Sequence, residues 1–210
     1  MQFAATYPLA QIRRVQIYNN IKRYRETELD KILQETGGSF VFGGPIFLRD
    51  LSACCHLRGD GVVYGAPDYH VWGMAWGTDA QDYAMERLPC EADNYVECVA
   101  LVVEGEPLAA PHYQPDMGGR PRQAIGTKEG RFAYLVTQTP YTPEELRDVL
   151  AAAGWDSAVM LDGGGSVCYR DRAGNGFTCD AGRVIPYYLV VHLADDVSES
   201  DTTGGQYVVT

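Results

Sequence analysis

Residues 141–166, YTPEELRDVLAAAGWDSAVMLDGGGS, constrain the fold more than any other stretch of the chain. Thr142 is placed to cap a helix, Pro143 suits its first turn, and Glu145 completes a capping box. Leu146, Val149, Leu150 and Ala153 fall on one helical face, and Gly154 is the natural left-handed stop. An apolar strand over residues 158–161 follows within a few positions. Upstream, RQAIGTKEGRFAYLVTQ reads as two strands about a turn at Lys128-Glu129-Gly130. Strand, helix and strand joined this tightly predict a β-α-β unit over about residues 131–161, feeding a parallel or mixed sheet through a right-handed crossover. Asp162 and the glycines then lie just past the carboxyl end of a buried strand, where open α/β sheets hold ligands.

The rest of the chain fits one α+β domain, a mixed β-sheet packed by a few helices. Its 210 residues can bury a sizeable single core. Val15 and Ile17 alternate with polar neighbours as in a strand. TELDKILQETGG predicts a short helix with Thr27 as cap, an apolar stripe of Leu29, Ile32 and Leu33, and a stop at Gly37-Gly38. SFVFGGPIF reads as a strand running into a glycine turn, and residues 69–76, 95–103 and IPYYLVVHL as further strands. The domain is expected over 1–195, followed by an acidic, turn-rich tail of weak order over 196–210.

A formal net charge of −11 argues against a nucleic-acid polymer or an anionic membrane as partner. It leaves room for an anionic small molecule in a local cationic pocket, because screening over ~8 Å at physiological salt removes most of the distant charge. The amino-terminal stretch has no uninterrupted apolar region and meets Arg13 and Arg14 early, and no window has transmembrane length, so a cytoplasmic location is expected. The six cysteines include no Cys-x-x-Cys pair, and CCH at 54–56 lacks zinc-site spacing. Reduced thiols and no metal site are the expectation.

The chemistry is concentrated in VMLDGGGSVCYRD, residues 159–171. Consecutive glycines expose the backbone, so main-chain N–H groups can converge on an anion or a sugar can approach closely. A tight turn would explain the glycines alone, but an acid leaving an all-apolar strand must cap that turn or hold a partner. No lysine follows as in a phosphate-binding P-loop. Cys168 stands where a nucleophile elbow needs glycine, and the dinucleotide fingerprint is absent. An anion or sugar pocket remains. A second stretch, QPDMGGRPRQAIG at 114–126, supplies Asp116, Gly118-Gly119, Arg120 and Arg122. Two guanidiniums beside a glycine turn suit bidentate capture of phosphate or carboxylate, and equally a solvated turn with one arginine paired to Asp116.

Three segments in order, FGGPIF (42–47), RQAIG (122–126) and LDGGGS (161–166), resemble the signatures of the phosphodiester glycosidase family. The resemblance extends over roughly residues 7–193 and is closest to short bacterial or prophage-borne members. Phe42 stands where the family has asparagine, and Gln123 where it has threonine. The resemblance implies a hydrolase that needs no cofactor and cleaves the anomeric C–O bond of a sugar-1-phosphodiester, such as an N-acetylglucosamine diester. It places Asp162 at the anomeric carbon, with Asp116 as second carboxylate, and Arg122, helped by Arg120, on the phosphate. Gly43, Gly44, Gly163, Gly164, Gly165 and Ser166 would line the pocket. Phe42 would present a ring there for stacking. A non-catalytic sugar-phosphate-binding module, or an enzyme for a nucleotide-like sugar phosphate, stays open beside this reading, as does the oligomeric state.

Overall fold

The computed structural model describes residues 1–65, 72–87, 90–108 and 118–194. In chain order the strands and helices are β1 (Gln2–Tyr7), β2 (Ile12–Asn19), α1 (Leu29–Thr36), β3 (Phe40–Gly43), β4 (Leu57–Gly59), β5 (Val62–Gly65), β6 (Trp72–Trp76), β7 (Ala84–Arg87), β8 (Asn94–Glu97) and β9 (Val99–Val103). They continue as β10 (Glu106–Pro107), β11 (Arg120–Lys128), β12 (Arg131–Tyr141), α2 (Pro143–Ala152), β13 (Ser157–Met160), β14 (Cys168–Asp171), β15 (Gly176–Thr178) and β16 (Tyr187–Leu193). The strands form three sheets, ordered β1-β12-β11-β13-β9-β10, β15-β14-β3-β16-β2 and β5-β4-β8-β6-β7.

This corrects the expected class. The domain is mostly β, every ladder among the described residues is antiparallel, and only two short α-helices accompany the sheets. The segment 131–161 does run strand, helix, strand. However, β12 and β13 are both antiparallel neighbours of β11, so they share a direction without touching. The β11–β12 hairpin takes the position that a simple crossover would leave to β13. Lys128 pairs with Arg131, and Glu129 and Gly130 both have positive φ (54° and 67°), as a two-residue hairpin turn of matching twist requires. The run 95–103 also divides: β8 belongs to the third sheet and β9 to the first, with Cys98 at the change.

The local rules hold for the helices. Thr142 Oγ1 accepts from the Glu145 N–H at 3.1 Å and Glu145 Oε2 from the Thr142 N–H at 2.8 Å, so the capping box is closed. Leu146 and Leu150 are buried where α2 packs on the first sheet. At α1 the cap differs from expectation. A 3-10 turn over Glu26–Glu28 precedes the helix, and Glu28 accepts from the Arg25 N–H at 3.0 Å. Gly37 ends α1 in the left-handed conformation.

The second sheet is covered on both faces. Val41, Cys168, Tyr188 and Val190 meet Leu29, Ile32 and Leu33 of α1. The alternate residues Phe40, Phe42, Leu189 and Val191 enter the main core. There an aromatic layer joins the first two sheets. Phe3 stacks on Tyr169 at 4.2 Å between centroids, and Tyr134 meets Phe40 at 4.9 Å and Phe42 at 5.7 Å. The six cysteines are free thiols, with Cys55 hydrogen-bonded to Cys98. Among the described residues no helix is long and apolar enough to cross a membrane. The expected tail, 196–210, lies outside the described residues.

Candidate active site

LDGGGS is the segment by which the chain leaves the first sheet at β13 and enters the second at β14. A chain that changes sheets there must pass close to other backbone, and small residues let it. The Asp162 N–H donates to the Gly44 carbonyl at 3.1 Å, tying the segment to the end of β3. A Cβ on Gly43 would lie 2.4 Å from the Ser166 carbonyl oxygen and 2.5 Å from Gln123 Nε2. FGGPIF, RQAIG and LDGGGS therefore meet at one place, each from a different strand.

At this junction Asp162 and the glycines Gly163, Gly164 and Gly165 are all half-buried, between the buried Leu161 and Ser166. Burial raises the Asp162 carboxyl above the usual aspartate range. The Ser166 hydroxyl, the Gly163 N–H, Arg183 and Arg122 oppose that shift by favouring the ionised form. The Gly163 N–H donates to Asp162 Oδ1 at 2.8 Å, whereas Ser166 Oγ, wholly buried, lies near the carboxylate without full hydrogen-bond geometry.

Arg122 is almost fully buried on β11. Its Nε donates to the Tyr141 carbonyl at 2.9 Å and its Nη2 to the Gly118 carbonyl at 3.0 Å. Its Nη1 lies 2.7 Å from where a Gly163 Cβ would be, so the guanidinium occupies the space that glycine leaves. Arg120 is exposed, with its Cδ against Gly164. Asp116 lies outside the described residues.

Two sequence expectations change. Phe42 is wholly buried between Phe40 and Tyr134, so its ring is core and cannot stack on a ligand. Its strand alternation turns it toward the main core, which residue type alone did not reveal. Gly43 and Gly44 are buried as well, and a Gly44 Cβ would lie 2.4 Å from the Tyr187 carbonyl oxygen. They permit close backbone packing behind the site and do not line an open pocket.

Four neighbours had been given no role at the site from sequence. Gln123, fully buried, donates from Nε2 to the Asp162 carbonyl at 2.9 Å and the Ser166 carbonyl at 3.4 Å. Arg183 and Asp180 come from the turn before β16, where a Gly165 Cβ would lie 2.9 Å from Arg183 Nη1 and 3.3 Å from the Asp180 Cβ. Cys54 arrives through the loop after Gly44, near enough for Asp162 to raise its pKa, although burial is the larger cause. Gln123 lies inside the RQAIG motif and Cys54 in the CCH stretch; Arg183 and Asp180 are distant in sequence from the motifs and carry no local signal. Among the described residues no group of three or more His, Cys, Asp or Glu side chains is placed to hold a metal. A separate recess lined by Arg13, Arg14, Asp79, Asp93 and His192 shares no residue with this junction.

The Gln123 amide makes a direct prediction. Gln123→Leu retains volume but leaves two main-chain carbonyls without their donor, one of them belonging to Asp162. A loss of about 1–3 kcal/mol in chemical unfolding is expected. Stability equal to the parent would show that the amide is not holding the turn.

A family model for phosphodiester glycosidases matches residues 55–192, more than half of the chain. The chain belongs to the phosphodiester glycosidase family. The matched span includes RQAIG and LDGGGS but not FGGPIF, whose place beside them rests on the geometry above. The fold of this family member is similar to the zebrafish N-acetylglucosamine-1-phosphodiester alpha-N-acetylglucosaminidase catalytic domain auto-inhibited by its pro-peptide. That likeness has a TM-score of 0.66 at 14% identity, covering 91% of this chain and 83% of that one. A hypothetical protein from Synechocystis is similar with a TM-score of 0.71 at 10% identity. The chain covers 59% of that protein, and 92% of its own length is matched. No curated protein matches.

Proposed function

We propose that this family member is a hydrolase cleaving the anomeric C–O bond of a sugar-1-phosphodiester, with Asp162 and the arginines at the glycine turn as its working groups. The observation that carries this reading is the meeting of the three motif segments around one half-buried carboxylate, Asp162. A phosphate monoester is a good leaving group, so stabilising its charge matters more than protonating it strongly. Arg120 reaches solvent beside Gly164 and suits the phosphate directly; Arg122, held behind Gly163 by two main-chain carbonyls, adds fixed positive charge. Asp162 would face the anomeric carbon as nucleophile or as base for water. The Ser166 hydroxyl and the arginines favour its ionised form against the cost of burial.

The test is sugar release from a synthetic N-acetylglucosamine-1-phosphodiester, compared with a phosphate-free aryl glycoside of the same sugar. The diester is the expected substrate. Arg122→Lys keeps the charge but loses the planar fork, so a ~10- to 100-fold fall in kcat/KM on the diester is expected. Undiminished cleavage would make Arg122 purely structural. Binding of sugar phosphates by calorimetry without release of sugar from any diester would make the protein a binding module.

A further inference from the structure

The third sheet begins and ends at two cysteines that face each other. In the β4–β8 ladder Leu57 pairs with Val96 and Arg58 with Tyr95. The pairing continues one step beyond β4, where the Glu97 N–H donates to the His56 carbonyl at 3.0 Å and the His56 N–H to Glu97 Oε2 at 3.0 Å. His56 and Glu97 thus hold a hydrogen-bonded position of the ladder, and the next position sets Cys55 opposite Cys98 without ladder hydrogen bonds. At such positions facing Cα atoms lie ~4.5 Å apart with their side chains close, inside the ~4.4–6.8 Å range that a disulfide needs. Alternation turns both cysteines to the same face as the wholly buried Leu57 and Val96. The side chains do meet. Both are buried free thiols, and Cys55 is hydrogen-bonded to Cys98.

The place of this pair in the fold gives it leverage. All five strands of the third sheet, β4 to β8, lie between Cys55 and Cys98, so the two thiols stand at the neck through which the chain enters and leaves that sheet. Cys55 ends the loop that starts at Gly44, whose carbonyl accepts from the Asp162 N–H. That loop is fastened by the Cys54 N–H to the Ile46 carbonyl at 3.1 Å and by a bridge between Phe47 and Ala53. On the other side Cys98 precedes Val99, which pairs with Met160, two residues before Asp162. The other cysteines offer no such match. Cys168 and Cys179, near one another across β14 and β15, pack against different cores.

We propose that Cys55 and Cys98 form a reversible redox clasp, closing into a cross-strand disulfide under oxidising conditions and so fastening the third sheet at its neck. With a peroxide as oxidant, the Cys55 sulfur takes one peroxide oxygen as the O–O bond breaks, giving a sulfenic acid and water. The Cys98 sulfur then bonds to the Cys55 sulfur, the S–O bond breaks, and a second water leaves. Two electrons pass from the thiols to the peroxide, and both thiol protons end in the waters. A dithiol reductant reopens the clasp by exchange, becoming a disulfide itself. The hydrogen bond to Cys98, and then burial, hold the Cys55 thiol well above its ordinary range, so closure is slow at neutral pH and quickens in mildly alkaline solution. Closure ties together a segment of 43 positions and removes many open arrangements of the third sheet.

The experiment treats the full chain with stoichiometric hydrogen peroxide or with dithiothreitol, then maps its disulfides by peptide mass and follows melting and amide hydrogen exchange. A Cys55–Cys98 bridge is expected after peroxide and none after dithiothreitol. The bridged protein should melt about 5–10 °C above the reduced one. Exchange in β4, β6 and β8 should slow ~10-fold or more, with α2 changing far less. Cys55→Ala and Cys98→Ala should each abolish the peroxide-dependent shift, whereas Cys54→Ser should keep both bridge and shift. If the alanine variants melt early, the peptide map and exchange of the parent decide by themselves. No bridge, a bridge that engages Cys54 in place of Cys55, or a bridged protein that melts no higher than the reduced one overturns the clasp. None of these readouts depends on whether the glycine turn hydrolyses a sugar diester, so the two readings stand or fall separately.

Discussion

Asp162→Asn is expected to lower sugar release from a sugar-1-phosphodiester on the order of 10³-fold while leaving the protein at least as stable at neutral pH as its parent. The loss in rate follows from removing the charge that faces the anomeric carbon, since fixed electrostatic stabilisation of this kind is worth several kcal/mol. Asparagine keeps an oxygen that can still accept the 2.8 Å hydrogen bond from the Gly163 N–H, so the turn keeps its shape. The stability result follows from the direction of the pKa shift. Burial, the largest influence on Asp162, raises its carboxyl above the ordinary aspartate value, so the folded protein holds this proton more tightly than the unfolded chain does. That contribution is complete below the ordinary value of ~3.9 and is lost as pH rises through the folded one. At neutral pH the ionised carboxylate is therefore a net cost that asparagine removes. Thermal melting from pH 3 to 8 alongside the activity assay checks both halves. The variant's advantage should shrink toward acid pH. An Asp162→Asn protein that is unfolded, or that turns over like its parent, would remove Asp162 from the chemistry.

Gly126→Ala is expected to destabilise the fold by about 3 kcal/mol or more, a shift of about 10 °C in melting temperature for a chain of this size. Gly126 closes the RQAIG segment and could be taken for a ligand-binding glycine. Its place is the β11–β13 ladder, opposite Ala158, and an added Cβ would lie 1.9 Å from the Ser157 carbonyl oxygen and 2.8 Å from its carbon. Those are backbone atoms of a central strand and cannot swing aside as a side chain can. Gly118→Ala is the matched comparison, because nothing lies within 4 Å of its added Cβ and its φ is unstrained. It should change stability by less than about 0.5 kcal/mol. Equal melting of the two variants would show that β11 and β13 can separate without cost.

What the sequence determined by itself was local. The capping box of α2, the two-residue turn after Lys128, the glycine stop of α1 and the strand β13 that precedes Asp162 each depend on neighbours a few positions away. Residue type and spacing dictate their hydrogen bonds and φ values, so they could be read directly. The motif segments likewise marked Asp162, Arg120 and Arg122 as a group, because an acid, glycines and arginines are costly or strained unless something holds them.

Tertiary structure decided which sheet each strand joined and which way each side chain faced. The insertion of β11 between β12 and β13 turned an apparent parallel crossover into an antiparallel sheet, since ladder order depends on competition among strands distant in sequence. Alternation along β3 sent Phe42 into the aromatic core, and a shift of one residue would have sent it to the α1 side with Val41. The same packing brought Arg183, 61 positions from Arg122, onto Gly165 through a turn fastened to Glu26. No periodicity or motif encodes such a contact. It exists because the chain changes sheets at Asp162, and only glycine lets that passage run against the side chains of two other segments.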